Sequence, residues 1–519
     1  MDGPLLTIDR DDERPLGVQL VEGLRRGILA GALQTGDPLP STRALAAELG
    51  VARSSVVAAY DQLAGEGYLE VRQGAPTRVA PLAMPPAPAG SAAPEAAPAP
   101  AAHATAASAR AAAPRGAPAG SAPGAETATR VRTLDAGAAP SGAAPTVPTG
   151  RTAIVDLRPG RPSTARLDER AWRAAWRVAA RDAVPDDTPP AFGAPRLRAE
   201  IAEHLRHARG VACSPDDVVV TAGTSDAVAL LASALRSLVD GTPRVAVEHP
   251  GYPSARRVLA RRGALETVPV PVDRDGIDVA ALRGIRPTPN AVLVTPSHQY
   301  PLGGRLPVAS RLALLEWAEA SDALVLEDDY DSEFRHVGAP LPALASLDRS
   351  GHAVLIGSFS KVLTPWLRLG YLVLPANPSL REAVAAVRDD ETCPVPGIAQ
   401  AAMTELLATG AVRRHIAAAR RDYAHRRKLV IEALDGLDGA PLSGLDGGLH
   451  AVVGLPTAEV ATRIVTRLAD DGVLVAPLSE YSAIPGEGPA GIVLGYASPP
   501  DSQLAGALAR VRAAVEGAH

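Results

Sequence analysis

The chain has 519 residues, 46% hydrophobic and 21% charged, with a formal net charge of −5. That length allows more than one domain, and the near-balanced charge excludes a polybasic or polyacidic protein as a whole. The start, "MDGPLLTIDRDDERP", is acidic and has no apolar core, which argues against a signal peptide, and no apolar run has membrane-spanning length. Cys213 and Cys393 have no metal-ligand spacing, so a reducing, cytoplasmic setting is expected.

Residues 14–80 read as three helices and a β-hairpin. In "VQLVEGLRRGILAG", Val18, Val21, Leu24 and Ile28 fall at helical spacing and Gly31 follows as a stop. A helix from about Thr42 to Leu49, a turn at Gly50-Val51 and a helix from about Ser54 to Glu66 have the form of a helix-turn-helix. "YLEVRQGAPTRVA" alternates and turns at Gly74, as a wing does. The segment carries seven arginines against six carboxylates, so DNA affinity must come from where the arginines sit. A helical hairpin for protein contact is the bland alternative.

From Pro81 to about Gly150 the chain is almost wholly Ala, Pro, Gly, Ser and Thr. It cannot bury enough apolar surface to offset its conformational entropy, so a disordered tether is expected, spanning on the order of 45 Å as a coil.

From residue 151 to the end, β-type runs alternate with helical ones. "DVVVTAGT", "PRVAVEHPGY", "NAVLVTPSH", "ALVLEDDY", "AVLIGSFSK" and "RLGYLVLP" are short and rich in Val, Leu and Ile. Near-continuous apolar strands alternating with helices predict a mostly parallel sheet covered on both faces, with ligands beyond the strand ends. The polar clusters lie there: Gly223-Thr224-Ser225, His249/Tyr252, His298/Gln299, Asp328/Asp329/Tyr330 and Ser358/Lys361.

Among 52 basic residues only Lys361 and Lys428 are lysines. Lysine, unlike arginine, can act as a free amine and form a Schiff base with an aldehyde cofactor. Each cluster has a task if that cofactor is pyridoxal phosphate. Gly223, Thr224 and Ser225 open a helix and would offer donors to its phosphate, with Ser358 and Arg368 as further partners. Asp328 would face the pyridine nitrogen, Tyr330 the ring hydroxyl and Tyr252 the ring face, and Lys361 would bond the aldehyde.

The N-terminal run "LPSTRALAAELGVARSSV" with "RQGAPTRV" resembles the winged helix-turn-helix of the GntR family. That resemblance implies DNA contact by Arg43, Arg53, Ser54 and Ser55, with Gln73 and Gly74 at the wing tip. The second unit resembles fold-type I aminotransferases. "TPSHQYPLGGRLP", "LEDDYDSEF" and "GSFSKVLTPWLRLGYLVLP" together resemble the MocR subfamily of GntR regulators, in its PdxR-like branch. The expected architecture is therefore multidomain: an α/β winged helix-turn-helix, an Ala/Pro linker and an α/β aminotransferase-like domain. The resemblance also implies a homodimer on DNA and places His298 and Tyr300 with the cofactor.

Two positions depart from working aminotransferases. Tyr300 stands where they carry an asparagine bonding the ring hydroxyl, and Val493 where an arginine grips the substrate carboxylate. Valine cannot replace a bidentate clamp. Ser254 also stands where an effector-binding arginine would be sought, leaving Arg256, Arg257, Arg158 and Arg161 as candidate substitutes. Three functions stay open: a regulator with pyridoxal phosphate as its signal, a regulator whose bound cofactor reacts with an amino compound, and an active aminotransferase.

Overall fold

The protein is described here from a computed structural model, covering residues 6, 16–29, 32–65, 68–70, 76–80, 154–181, 183, 185–337 and 342–518. The Ala/Pro-rich segment and the wing-tip residues Gln73 and Gly74 lie outside these.

The N-terminal unit consists of α1 (Leu16–Leu29), α2 (Thr42–Leu49), α3 (Arg53–Gly65) and a hairpin of β1 (Leu69–Glu70) with β2 (Arg78–Val79). Leu20, Val21, Leu24 and Ile28 of α1 are buried with Leu45, Val56, Leu63 and Tyr68. Ser41 starts α2 by accepting a hydrogen bond from the Ala44 amide (3.2 Å), and Gly50 ends it at φ +61°. Ser41→Ala should cost about 1 kcal/mol. In calorimetry of the full chain it is expected to lower the unfolding transition of this small unit by roughly 5 °C.

From residue 154 the strands in chain order are β3 (Val155–Asp156), β4 (Val218–Thr221), β5 (Arg244–His249), β6 (Glu266–Asp273), β7 (Gly276–Ile277), β8 (Ala291–Val294), β9 (Leu324–Asp329), β10 (Ala353–Ser358) and β11 (Gly370–Val373). After them come β12 (Leu442–Ser443), β13 (His450–Gly454), β14 (Val473–Leu474), β15 (Ala476–Pro477) and β16 (Gly491–Gly495). Eight strands form one sheet in the order β4-β11-β10-β9-β8-β5-β6-β7. The run from β10 to β6 is parallel, whereas β11 is antiparallel to both β4 and β10.

Both faces are covered, which explains the unbroken apolar runs. Val219, Val245, Leu293, Leu326 and Ile356 pack with helices Thr224–Leu238, Pro253–Arg262 and Pro378–Glu391. The alternating residues Val220, Leu355 and Tyr371 pack with helices Pro195–Arg209, Gly397–Ala408 and Ala411–Leu434. Each fully buried Val, Leu or Ile contributes roughly 1.5–3 kcal/mol, so displacing this sheet edge is costly.

The reversed strand β11 sets up the site. Its first residue, Gly370, pairs with Ser358 on one side and Thr221 on the other. The entry to β11 thus lies at the same edge as the ends of β4, β9 and β10. A second sheet, β12-β13-β16-β15, is antiparallel and was not anticipated.

Candidate functional site

At the carboxyl edge of the large sheet lies a cavity of ≈ 280 Å³. One end is built for an anion. Helix Thr224–Leu238 begins directly after β4, and no side chain caps its first turn. Its leading amides are therefore available to a ligand. Gly223 precedes it at φ +86°, and a Cβ there would come within 3.6 Å of the Arg368 guanidinium. Arg368 reaches across by donating to the Ala222 carbonyl (2.7 Å). Thr224, Ser225, Ser358, Ser360 and Arg368 all line this end.

Lys361, in the turn after β10, and Asp328, at the end of β9, line the middle. Burial pushes the Lys361 amine toward its neutral form, against the pull of Asp328 and Asp331. Burial also pushes the Asp328 carboxyl up to about 7; Asp329 adds to this and Lys361 opposes it. Asp329 is itself held by the buried Arg209 (2.7 Å). A buried carboxyl beside an amine pushed toward its neutral form is suited to a cationic ring nitrogen, which would stabilise the charge of the carboxylate.

Aromatic rings form the far wall. Tyr252 meets Tyr300 edge-on at 6.0 Å, and Tyr300 meets Tyr330 at 5.4 Å. The Tyr300 hydroxyl donates to the Tyr481 hydroxyl (3.3 Å), so Tyr300 lines the cavity while its polar end is already engaged. His298 is placed differently from the expectation: it is buried and does not line the cavity, standing behind Tyr330 with its Nδ1 2.9 Å from the Tyr330 hydroxyl. Side chains from two other elements occupy the wall instead, Asp331 and His450.

At position 493, where the carboxylate grip is expected, the packing is apolar. Val493 is fully buried on β16, opposite Val452 and Ala476, and joins Leu478 and Tyr481, with Tyr300 and Leu302 packed against them. The candidate substitutes are engaged elsewhere. Arg256 donates to the carbonyls of Tyr481 (3.3 Å) and Ser482 (2.8 Å), and Arg257 to Ser254 (3.1 Å). Arg158 and Arg161 both pair with Asp156 at 2.7 Å. Among the described residues that line the cavity, Arg368 is the one arginine.

Sequence reasoning missed Ser360, Asp331, Thr295 and His450. Ser360 and Asp331 had a signal, since each adjoins a residue already singled out. His450 had none, because β13 of the second sheet delivers it.

In the N-terminal unit Arg43, Arg53 and Ser54 are exposed and Ser55 is half-buried. Arg53 opens α3, the second helix of the motif, with its Nε 3.5 Å from the Thr42 hydroxyl. An exposed arginine and serine at the start of that helix suit contact with base edges and phosphates.

The profile of "Bacterial regulatory proteins, gntR family" matches residues 16–79, and that of "Aminotransferase class I and II" matches residues 154–511. The chain is 39% identical over 512 residues to the HTH-type pyridoxine biosynthesis transcriptional regulator PdxR of Corynebacterium glutamicum, covering 98% of each chain. The chain belongs to the MocR subfamily of GntR-family transcriptional regulators. It is also 35% identical over 500 residues to the probable rhizopine catabolism regulatory protein MocR of Rhizobium meliloti, covering 95% of this chain and 92% of that one. Among solved structures it is similar to LysN, the alpha-aminoadipate aminotransferase of Thermus thermophilus, with a TM-score of 0.63 and 26% identity. That likeness covers 70% of this chain and 92% of LysN, which was crystallised with N-(5'-phosphopyridoxyl)-L-leucine. Among the described residues no helix is long and apolar enough to cross a membrane.

Proposed function

We propose that this regulator binds pyridoxal 5'-phosphate in the cavity and reads it as its signal, controlling genes of vitamin B6 metabolism. The observation that carries the reading is the pairing of a built cofactor site with an apolar Val493. The anion end, the buried Lys361 amine and the buried Asp328 fit the phosphate, aldehyde and pyridine nitrogen of one molecule. The carboxylate grip that a second, amino-acid substrate needs is filled by Val493, Leu478 and Tyr481. Without that grip an amino acid has no fixed orientation, and transamination depends on orientation.

When bound, the group supplies an electrophilic carbon and an electron-withdrawing ring. Thr224, Ser225, Ser358, Ser360 and Arg368 would hold its phosphate, and Tyr252 would cover its ring. Lys361 would bring its amine to the aldehyde, and Asp328 would keep a proton on the ring nitrogen. These contacts join β4, β9, β10 and β11, so ligand binding favours one arrangement of the strand ends. Arg43, Arg53, Ser54 and Ser55 would make the DNA contacts, joined by Gln73 and Gly74 at the wing tip. A cytoplasmic homodimer would present two such units to two half-sites.

The test is binding of the full chain to its own upstream DNA, cofactor-free and then titrated with pyridoxal phosphate. A change in affinity or footprint with the cofactor alone is the expected result. A complex that changes only after an amino compound is added would instead make that compound the signal, and formation of the pyridoxamine form would mark an aminotransferase.

A further inference from the structure

The helix whose start faces the anion end carries a carboxylate, Asp226, in its first turn. A negative charge there suits the helix dipole but repels a phosphate. The contacts of Asp226 resolve the conflict. Its Oδ2 accepts from the Ala222 amide (3.0 Å), reaching back past Gly223 instead of into the cavity. The same oxygen accepts from Nη2 of Arg388 (2.9 Å), which stands on helix Pro378–Glu391. Neither residue lines the cavity.

Arg388 is firmly built in. Its side chain is 1% exposed, and its Nη1 donates to the Thr392 carbonyl (3.2 Å). Thr392 ends the helix at φ +58° and ψ −179°, a conformation nearly reserved for glycine. A β-branched residue stays there only because its surroundings hold it, and its amide in turn donates to the Arg388 carbonyl (2.8 Å). A buried guanidinium is costly unless it is paired, and Asp226 supplies the carboxylate. Ala222 is thereby held at both of its backbone polar groups. Its N–H goes to Asp226, and its carbonyl receives Arg368 (2.7 Å), which does line the cavity.

Resting on the cofactor reading above, we propose that the buried Arg388–Asp226 pair is the positioning element of the phosphate site. It fixes Ala222, and through Ala222 both the turn at Gly223–Ser225 and the Arg368 guanidinium. It also cancels the Asp226 charge that would otherwise repel the phosphate. Both are positioning residues, acting through groups that face the cavity. The pair therefore serves the phosphate alone, since Lys361, Asp328 and Tyr252 meet the aldehyde and the ring from other elements.

The experiment is equilibrium dialysis of the cofactor-free full chain against pyridoxal phosphate and, separately, against pyridoxal, which has the same ring and aldehyde without the phosphate. The chains are wild type, Asp226→Ala, Arg388→Met and the double variant. Each single variant is expected to lower the affinity for pyridoxal phosphate on the order of tenfold, the scale of one charge-assisted hydrogen bond, and to leave that for pyridoxal within about twofold. The double variant should lose no more than the weaker single one, because both changes break one pair. Asp226 is 19% exposed, so its variant tests the proposal even if Arg388→Met does not fold. Equal losses for the two ligands, no loss for either, or a gain in pyridoxal phosphate affinity in Asp226→Ala overturns the positioning role and leaves the cofactor reading intact. A wild type that binds neither ligand overturns both.

Discussion

Lys361→Ala is expected to abolish the covalent capture of pyridoxal phosphate and, with it, any response of the DNA complex to the cofactor. The phosphate contacts and Asp328 stay in place, so weak non-covalent binding should persist. Affinity should fall on the order of a hundredfold, ~3 kcal/mol, measurable by equilibrium dialysis alongside the loss of the bound-cofactor absorbance. Lys361→Arg makes the test sharper. It puts a fixed positive charge beside Asp328 but has no free amine at ordinary pH, so it should fail in the same way. If the arginine variant still responded, charge rather than the amine would be the link, and Lys361 would not be the chemical contact.

Asp328→Asn is expected to move stability and ligand affinity in opposite directions. Burial holds the Asp328 carboxyl at about 7 in the folded chain, against about 4 in an unfolded one. Because the folded value is the higher, its contribution is fully present below pH 4 and is lost as pH rises through about 7. By pH 8 the ionised group costs the cofactor-free protein about 4 kcal/mol. Asparagine carries no such cost, so the cofactor-free variant should melt several degrees above wild type at pH 8. The gap should shrink as pH falls, and the two should converge below about pH 4, where Asp328 is protonated in the unfolded chain as well. Pyridoxal phosphate should narrow the gap at pH 8, since a protonated ring nitrogen pairs with the carboxylate and not with the amide. Equal melting temperatures at pH 8 would mean that Asp328 is better solvated than its burial indicates.

Much of this was readable along the chain because the information is local. The bounds of α2 follow from Ser41 and Gly50, two residues with strong terminus preferences. The strand-end clusters at Gly223–Ser225, Asp328–Tyr330 and Ser358–Lys361 each lie next to an unbroken apolar run. Arg368 is an intermediate case: it was expected as a further phosphate partner, and the physical reason for its place is the antiparallel insertion of β11 between β4 and β10. No pattern in "RLGYLVLP" sets that direction. His450 was out of reach altogether. It rides on a five-residue strand of the second sheet, paired with β16 some forty residues away. His298 was recognised as belonging to the site but placed one layer too far forward, since "SHQYP" does not tell which side chain meets the cavity and which stands behind it.

The packing of Val493 bears on what it would take to seat an arginine at that position. Its side chain is enclosed by Val452, Ala476, Leu478 and Tyr481, with the Tyr300 ring against them. An arginine there would enter a dry compartment and displace the two tyrosines that close it. Seating an arginine there therefore takes more than one substitution. At least Tyr300 and Tyr481 would have to change alongside position 493, and each intermediate would carry either a buried unpaired guanidinium or a void. Packing of this kind works as a lock: a guanidinium at 493 can be seated only if several of the side chains that enclose it change together.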